Sequence, residues 1–292
     1  MLENAVFWGA GCAFVWGFSD YIARYAGRSV GPMAATFAMM MVGGLLIIAI
    51  MAVTETPVDW RLDGLHWLLA IAGGVTIGAM LFFHAVTHGP VSLAAPMVAS
   101  YPAVAVPISV ALGAEPKPII WGAMAITLSG IWLVARSVSA SGGEDAPKEY
   151  TPAVIRRTII LSLAAASIYA ASLTAADRAV EIYGSLQTVL VIRLFGTVVL
   201  FAVLLSRREK ARFPMRAWPV LAAFGILDTL GHMFLFFGLE TTHGEYAIVA
   251  SVAYTAVTVL LARIFLREPV SKLQWGGVAL IIAGVAVLGA FG

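Results

Sequence analysis

The sequence predicts an all-α integral membrane protein of ten transmembrane helices, built as two inverted repeats of five helices each. Three observations carry this. The chain is 61% hydrophobic and only 12% charged, with a mean hydropathy of +0.92, and so few charges cannot coat a soluble globule of 292 residues. Its apolar residues fall in runs long enough to cross a bilayer, which takes about 20 residues in a helix. Short matches recur in the same order in its two halves, at a separation of about 151 to 155, which marks an internal duplication.

Taken in order, the runs are 5–25, 33–53, 65–86, 94–113 and 119–135, then 158–180, 186–205, 218–239, 246–265 and 273–291. The first begins MLENAVFWGAGCAFVWGF, which lacks a basic n-region and a small-residue cleavage site, so it reads as a retained span. Connections carry turn punctuation, as in His88-Gly89-Pro90 and Glu115-Pro116-Lys117-Pro118. Residues 136–157, RSVSASGGEDAPKEYTPAVIRR, form the longest polar stretch and read as an exposed linker. The expected division is a first repeat over 1–135, the linker over 136–157 and a second repeat over 158–292. In the fourth run Pro96, Pro102 and Pro107 each remove a backbone donor, so that helix is expected to be bent or broken.

The matches between halves pair Ser19, Ala23, Gly31 and Gly43 with Ser172, Ala176, Gly184 and Gly196. Leu81-Phe82-Phe83 is echoed by Leu235-Phe236-Phe237, and Val98-Ala99-Ser100 by Val249-Ala250-Ser251. Glu115-Pro116 precedes Trp121-Gly122 and Gly130, as Glu268-Pro269 precedes Trp275-Gly276 and Gly284. Five crossings is an odd number, so the second copy enters the membrane from the opposite side. A pseudo-two-fold axis then lies in the membrane plane, with a substrate site expected near the midplane between the halves, and both termini on one side. The basic residues Arg61, Lys117 and Arg178 fall on the termini's side, whereas Arg24, Arg28, Arg207, Arg212 and most others fall opposite. The positive-inside rule taken alone puts the termini outside the cytoplasm.

The ten-helix duplication, the Glu-Pro step before the last helix of each half and the Trp-Gly start of that helix resemble the drug/metabolite transporter superfamily. Trp16-Gly17 and Ser100-Tyr101-Pro102 are similar to its branch of bacterial amino-acid and metabolite exporters. The resemblance covers essentially the whole chain. It implies a secondary transporter in the cell inner membrane with cytoplasmic termini, against the charge distribution, and cytoplasmic termini are the expectation taken here.

Ionisable groups inside spans cost about 2.5–3.5 kcal/mol at a helix centre on insertion scales, so each calls for a reason. Asp228 and His232, four apart, share a helix face. They can receive a substrate ammonium or relay a proton; alternatively Asp228 neutralises Arg193 and His232 bonds a backbone carbonyl. Asp20 and Arg24, also four apart, are expected to form a boundary ion pair. His84 lies in the third span, and Ser100 and Tyr101 sit at the expected proline bend, where freed carbonyls can bind a cation or only shape the helix. Trp16 falls opposite Tyr169 in the repeat, and with Tyr254 these rings can wall a cavity. Trp60, Trp67, Trp121, Trp218 and Trp275, near helix ends, read as an interfacial belt. The expected substrate-binding set is Trp16, His84, Ser100, Tyr101, Tyr169, Asp228, His232 and Tyr254.

Neither a catalytic set, a metal site nor a cofactor is expected: HExxH, GxSxG and P-loop motifs are missing. The single cysteine, Cys12, excludes an intrachain disulfide. Scattered basic residues and a net charge of +2 leave no face for nucleic acid. The partners expected are the lipid bilayer and a small solute, amino acids first, because serine, tyrosine, histidine and tryptophan suit a zwitterion. A nucleotide-sugar or phosphate-ester exchanger is the alternative within transport, and would need several deep cations. A membrane-embedded enzyme or scaffold is the alternative outside it.

Overall fold

The computed structural model describes residues 4–111, 113, 115, 117–140, 150–207, 212–267 and 270–291. Helix α1 (Ala5–Val30) opens on Asn4, whose side chain accepts from the Val6 and Phe7 amides at 2.9 and 3.3 Å, satisfying donors that a helix start leaves free. It ends at Gly31, and α2 (Pro32–Val53) begins at the next residue with Pro32 in its first turn. This one-residue corner holds Gly31 at φ +91°, a region that side chains with a Cβ avoid. Then come α3 (Leu65–His88), the short α4 (Val91–Val98) and α5 (Pro102–Ala111), and α6 (Pro118–Ala140).

The second half repeats the plan. Helix α7 (Pro152–Ser206) is a 55-residue run folded at Gly184, φ +75°, into two arms. Its first arm runs from Thr158, beside Gly89 at the end of α3, to Tyr183, which donates to the Arg61 carbonyl before α3 begins. Its second arm runs back, from Gln187 bonded to Asp59 to Phe201 beside Phe37 at the start of α2. After a 3₁₀ turn at Met215–Ala217 follow α8 (Trp218–Leu239), α9 (Gly244–Ser251), α10 (Tyr254–Phe265) and α11 (Lys272–Phe291).

With α4–α5 and α9–α10 each taken as one crossing and α7 as two, the described helices make ten crossings. By length and apolarity alone, α2, α3, α7 and the segments Met215–Leu239 and Gly244–Phe265 qualify as spans. Helix α1, which carries Asp20, Arg24 and Arg28, joins them by its packing between α8 and α9–α10. Packing obeys a two-fold that swaps the halves: α1 lies on α8, α9 and α10, while α7 lies on α3, α4 and α5. The self-related contacts are α2 with α7 and α6 with α11. Since each copy has an odd number of crossings, the axis lies in the membrane plane and the repeats are inverted.

The register between the halves is fixed by their breaks. Helices α4 and α9 both start and end 153 residues apart, the same separation as Met40 and Arg193. Val98-Ala99-Ser100 and Val249-Ala250-Ser251 are two residues out of that register, so their likeness is a coincidence of composition. The break in the fourth crossing falls at 99–101, directly before Pro102, whose missing donor cannot continue the helix. The ninth crossing breaks at its equivalent place, Val252 and Ala253, with no proline nearby.

Small residues let these helices approach. A Cβ on Gly130 would lie 2.5 Å from the Gly277 carbonyl oxygen, so α6 and α11 touch backbone to backbone, the usual device where lipid removes the hydrophobic drive for helix association. Large apolar side chains such as Phe14, Leu45, Val198 and Trp132 are more than half exposed and face outward, as a lipid-facing surface requires. Trp60, Trp121 and Trp275, exposed near helix ends, sit where an interfacial belt belongs. The polar linker as a whole is expected to be exposed, but 141–149 lie outside the described residues, as do Pro116, Glu268 and Pro269 of the Glu-Pro steps.

Candidate functional site

A central cavity lies across the two-fold. Its walls come in equivalent pairs from the two halves: Trp16 and Tyr169, Phe82 and Leu235, Phe83 and Phe236, Tyr101 and Tyr254. The paired rings are seated by paired glycines. A Cβ on Gly78 would lie 2.7 Å from the Tyr169 ring, and one on Gly231 would collide with Trp16. Trp16 meets His232 edge-on at 5.1 Å and Tyr254 at 6.0 Å, and its indole nitrogen donates to the Asp228 carbonyl at 3.4 Å.

The two tyrosines cross between halves. Tyr101, the last residue of the break in the fourth crossing, donates to the Ile248 carbonyl at 3.2 Å and lies 2.5 Å from the Ser251 hydroxyl. Tyr254, directly after the break in the ninth, donates to the Ala95 carbonyl at 3.1 Å. Ala95 and Ile248 are themselves equivalent, so the bonds form a reciprocal clasp. Each tyrosine ties the start of the second segment of one broken crossing to the first segment of the other.

Charge breaks the symmetry. Arg193 on the second arm of α7 approaches Asp228 of α8 at 2.8 Å, obliquely enough that the carboxylate oxygen has no aligned hydrogen bond. Its other terminal nitrogen donates to His232 Nδ1 at 2.9 Å. The same Nδ1 lies 2.9 Å from the Asp228 main-chain carbonyl oxygen, so the guanidinium and that carbonyl converge on one ring nitrogen. In the first half the equivalent positions are Met40, Val75 and Ala79. The other carboxyl group on the wall is that of Asp20 on α1, whose equivalent is Leu173. The architecture is therefore shared, and the polar chemistry belongs to particular places on it.

A model of the EamA-like transporter family matches the chain twice, over residues 3–136 and 156–290. The chain belongs to that family. A relative from Bacillus subtilis (strain 168), named as the uncharacterized transporter YwfM, is 23% identical over 285 residues, covering 95% of this chain and 91% of its own. A solved structure, described only as a crystal structure of a protein, matches with a TM-score of 0.76 at 20% identity over 99% of both chains. At that identity the likeness speaks for the fold alone. The family, within the drug/metabolite transporter superfamily, makes this chain a multi-pass membrane transporter.

Of the residues expected at the site of this EamA-like transporter, Trp16, Tyr101, Tyr169, Asp228, His232 and Tyr254 line the cavity. His84 does not. It sits toward the end of α3, takes a contact from Arg157 at 2.9 Å and stacks on His88, so its ring points away from the cavity. Ser100 is also off the wall: it lies within the break and donates back to Met97 at 2.7 Å, meeting its own chain rather than the cavity. The expected pair of Asp20 and Arg24 does not form. Arg24 turns to the Gly89 carbonyl at 3.2 Å and the Tyr150 hydroxyl, while Asp20 faces the cavity and accepts from Thr258 at 3.4 Å. The sequence reading missed Asp20 and Phe82, Phe83, Leu235 and Phe236 as lining. For the last four the Leu-Phe-Phe repeat marked the neighbourhood, though its match lies one residue out of the 153 register that pairs Phe82 with Leu235 and Phe83 with Phe236.

Proposed function

We propose that this protein is a secondary transporter that exports small zwitterionic metabolites, neutral amino acids above all, by alternating access through the central cavity. The observation that carries the substrate class is the charge inventory of the wall. Among the described residues no guanidinium or ammonium lines it, and the nearest buried one, Arg193, stands behind Asp228 and His232, opposed by the first and bonded to the second. A phosphate dianion stripped of water needs several cationic partners, and a carboxylate needs fewer. A zwitterion finds complementary groups: an acceptor for its ammonium at Asp20, donors for its carboxylate in the His232 imidazole and the tyrosine hydroxyls, and rings for its side chain at Trp16 and Tyr169. The proposed substrate-contacting residues are accordingly Trp16, Asp20, Tyr101, Tyr169, His232 and Tyr254. Asp228 acts beside them by holding Arg193.

Two inverted halves over 1–135 and 158–292, joined through 136–157, supply the proposed mechanism. Exchange of the conformations of the two repeats moves the opening from one face to the other. The proposed location is the cell inner membrane with cytoplasmic termini. The test is flux of a labelled neutral amino acid into liposomes holding purified protein, with unlabelled methionine, threonine, phenylalanine and a hexose phosphate as competitors. Competition by the amino acids and none by the phosphate is the expected result; competition by the phosphate alone overturns the reading.

A further inference from the structure

We propose that Asp20 is a proton-binding site of the central cavity whose proton is exchanged for the ammonium group of the transported molecule. The proposal rests on the zwitterion reading above for its second half only. Asp20 lies on the cavity wall with 4% of its surface exposed. Its hydrogen-bond partner is the neutral hydroxyl of Thr258, and among the described residues no cation lies within ion-pair distance of it. The groups that could neutralise it are engaged or face elsewhere. Arg193 is held by Asp228 and His232, Arg24 one turn further on turns to Gly89 and Tyr150, and Arg263 of α10 is exposed on the outer face.

The titratable and charged groups around Asp20 are few. Cys12 stands on α1 itself, Asp228 and His232 on α8, Tyr169 and Arg193 on α7, and Tyr101 and Tyr254 beside the two breaks. The polar wall of α9–α10 adds Thr258, and the facing residues Val75, Phe82 and Phe83 of α3 are apolar. A carboxylate in such surroundings is stable as the neutral acid, or as an anion with a cation brought to it. Packing does not call for an acid here, because Leu173 fills the equivalent position in the other half. The chemistry that fits is exchange. As a substrate ammonium reaches Asp20, the carboxylic O–H breaks, the proton passes to water on the open side, and the carboxylate pairs with the ammonium. When the substrate leaves on the other side, the carboxylate takes a proton from water there, so one proton moves against one substrate.

Two measurements on purified full-length protein test this. Infrared spectroscopy at neutral pH should show the carbonyl stretch of a buried protonated carboxyl group in the parent, lost in Asp20→Asn. Asn copies the shape of the neutral acid, and Asp20→Leu, copying Leu173, serves as the second variant; both should elute and melt as the parent does. Absence of the band in the parent, or its persistence in both variants, overturns the proton site whether or not any solute is carried. In liposomes, an imposed pH gradient should drive the parent to accumulate labelled methionine above equilibrium, and the same gradient should drive no such accumulation by Asp20→Asn. Equal accumulation by the two proteins, or none by the parent while methionine still equilibrates, overturns the exchange. No methionine entry at all, with the infrared band present, sinks the zwitterion reading and leaves the proton site standing.

Discussion

At the scale of single residues, the polar set of Arg193, Asp228 and His232 is an addition to a symmetric frame rather than part of it. Removing one member of a buried ion pair leaves an uncompensated charge and costs about 3–5 kcal/mol. Asp228→Ala should therefore lower the melting temperature of the purified protein sharply, with Arg193 fully buried beside it. The other half indicates the remedy. Arg193→Met with Asp228→Val, copying Met40 and Val75, should recover most of that loss, since apolar replacement of a buried pair is often neutral or stabilising by about 1–4 kcal/mol. A double variant as unstable as Asp228→Ala would show that the pair is required by the fold itself. Sequence alone reached the aromatic wall because Trp16 and Tyr169 coincide in the repeat. It misassigned Asp20 because acid and base four apart on a helix invite pairing, whereas the long Arg24 side chain near a helix end reaches out to polar groups at the boundary.

At the scale of helices, two corners and two breaks shape the molecule. Gly31 and Gly184 take the same positive-φ conformation at equivalent corners, and a side chain there costs about 1–3 kcal/mol. Gly31→Ala and Gly184→Ala should each lower stability by that order in thermal unfolding, with their effects adding because the corners lie apart. No change in either would mean that the corner relaxes freely. Proline made the break in the fourth crossing legible. The ninth was not, because its interruption has no local signal and is held by tertiary contacts, Tyr101 on Ile248 and Tyr254 on Ala95. Tyr101→Phe and Tyr254→Phe each remove one bond of the clasp, worth about 0.5–1.5 kcal/mol. Both should loosen hydrogen exchange in residues 95–101 and 248–254 together, and loosening confined to the mutated crossing would contradict the reciprocal tie.

At the scale of the whole molecule, the inverted duplication was legible because parity and ordered matches depend only on the order of apolar runs. Sidedness was not, since Arg61 and Lys117 on one side and Arg24, Arg28 and Arg207 on the other oppose the orientation that the family resemblance implies. A reporter fused to the C-terminus should be active on the cytoplasmic side, and activity only on the opposite side would show that the basic residues set the topology.

The central claim is that solutes pass through the cavity shared by the two halves. The most direct measurement is initial-rate flux of labelled methionine into liposomes holding the parent, Tyr101→Ala or Leu266→Met, each first shown to be folded by elution and melting. Tyr101 lies on the cavity wall and Leu266 at the far end of α10. The account predicts loss of most flux in Tyr101→Ala, near-parental flux in Leu266→Met, and no flux in empty liposomes; equal flux through the parent and a folded Tyr101→Ala protein would contradict it.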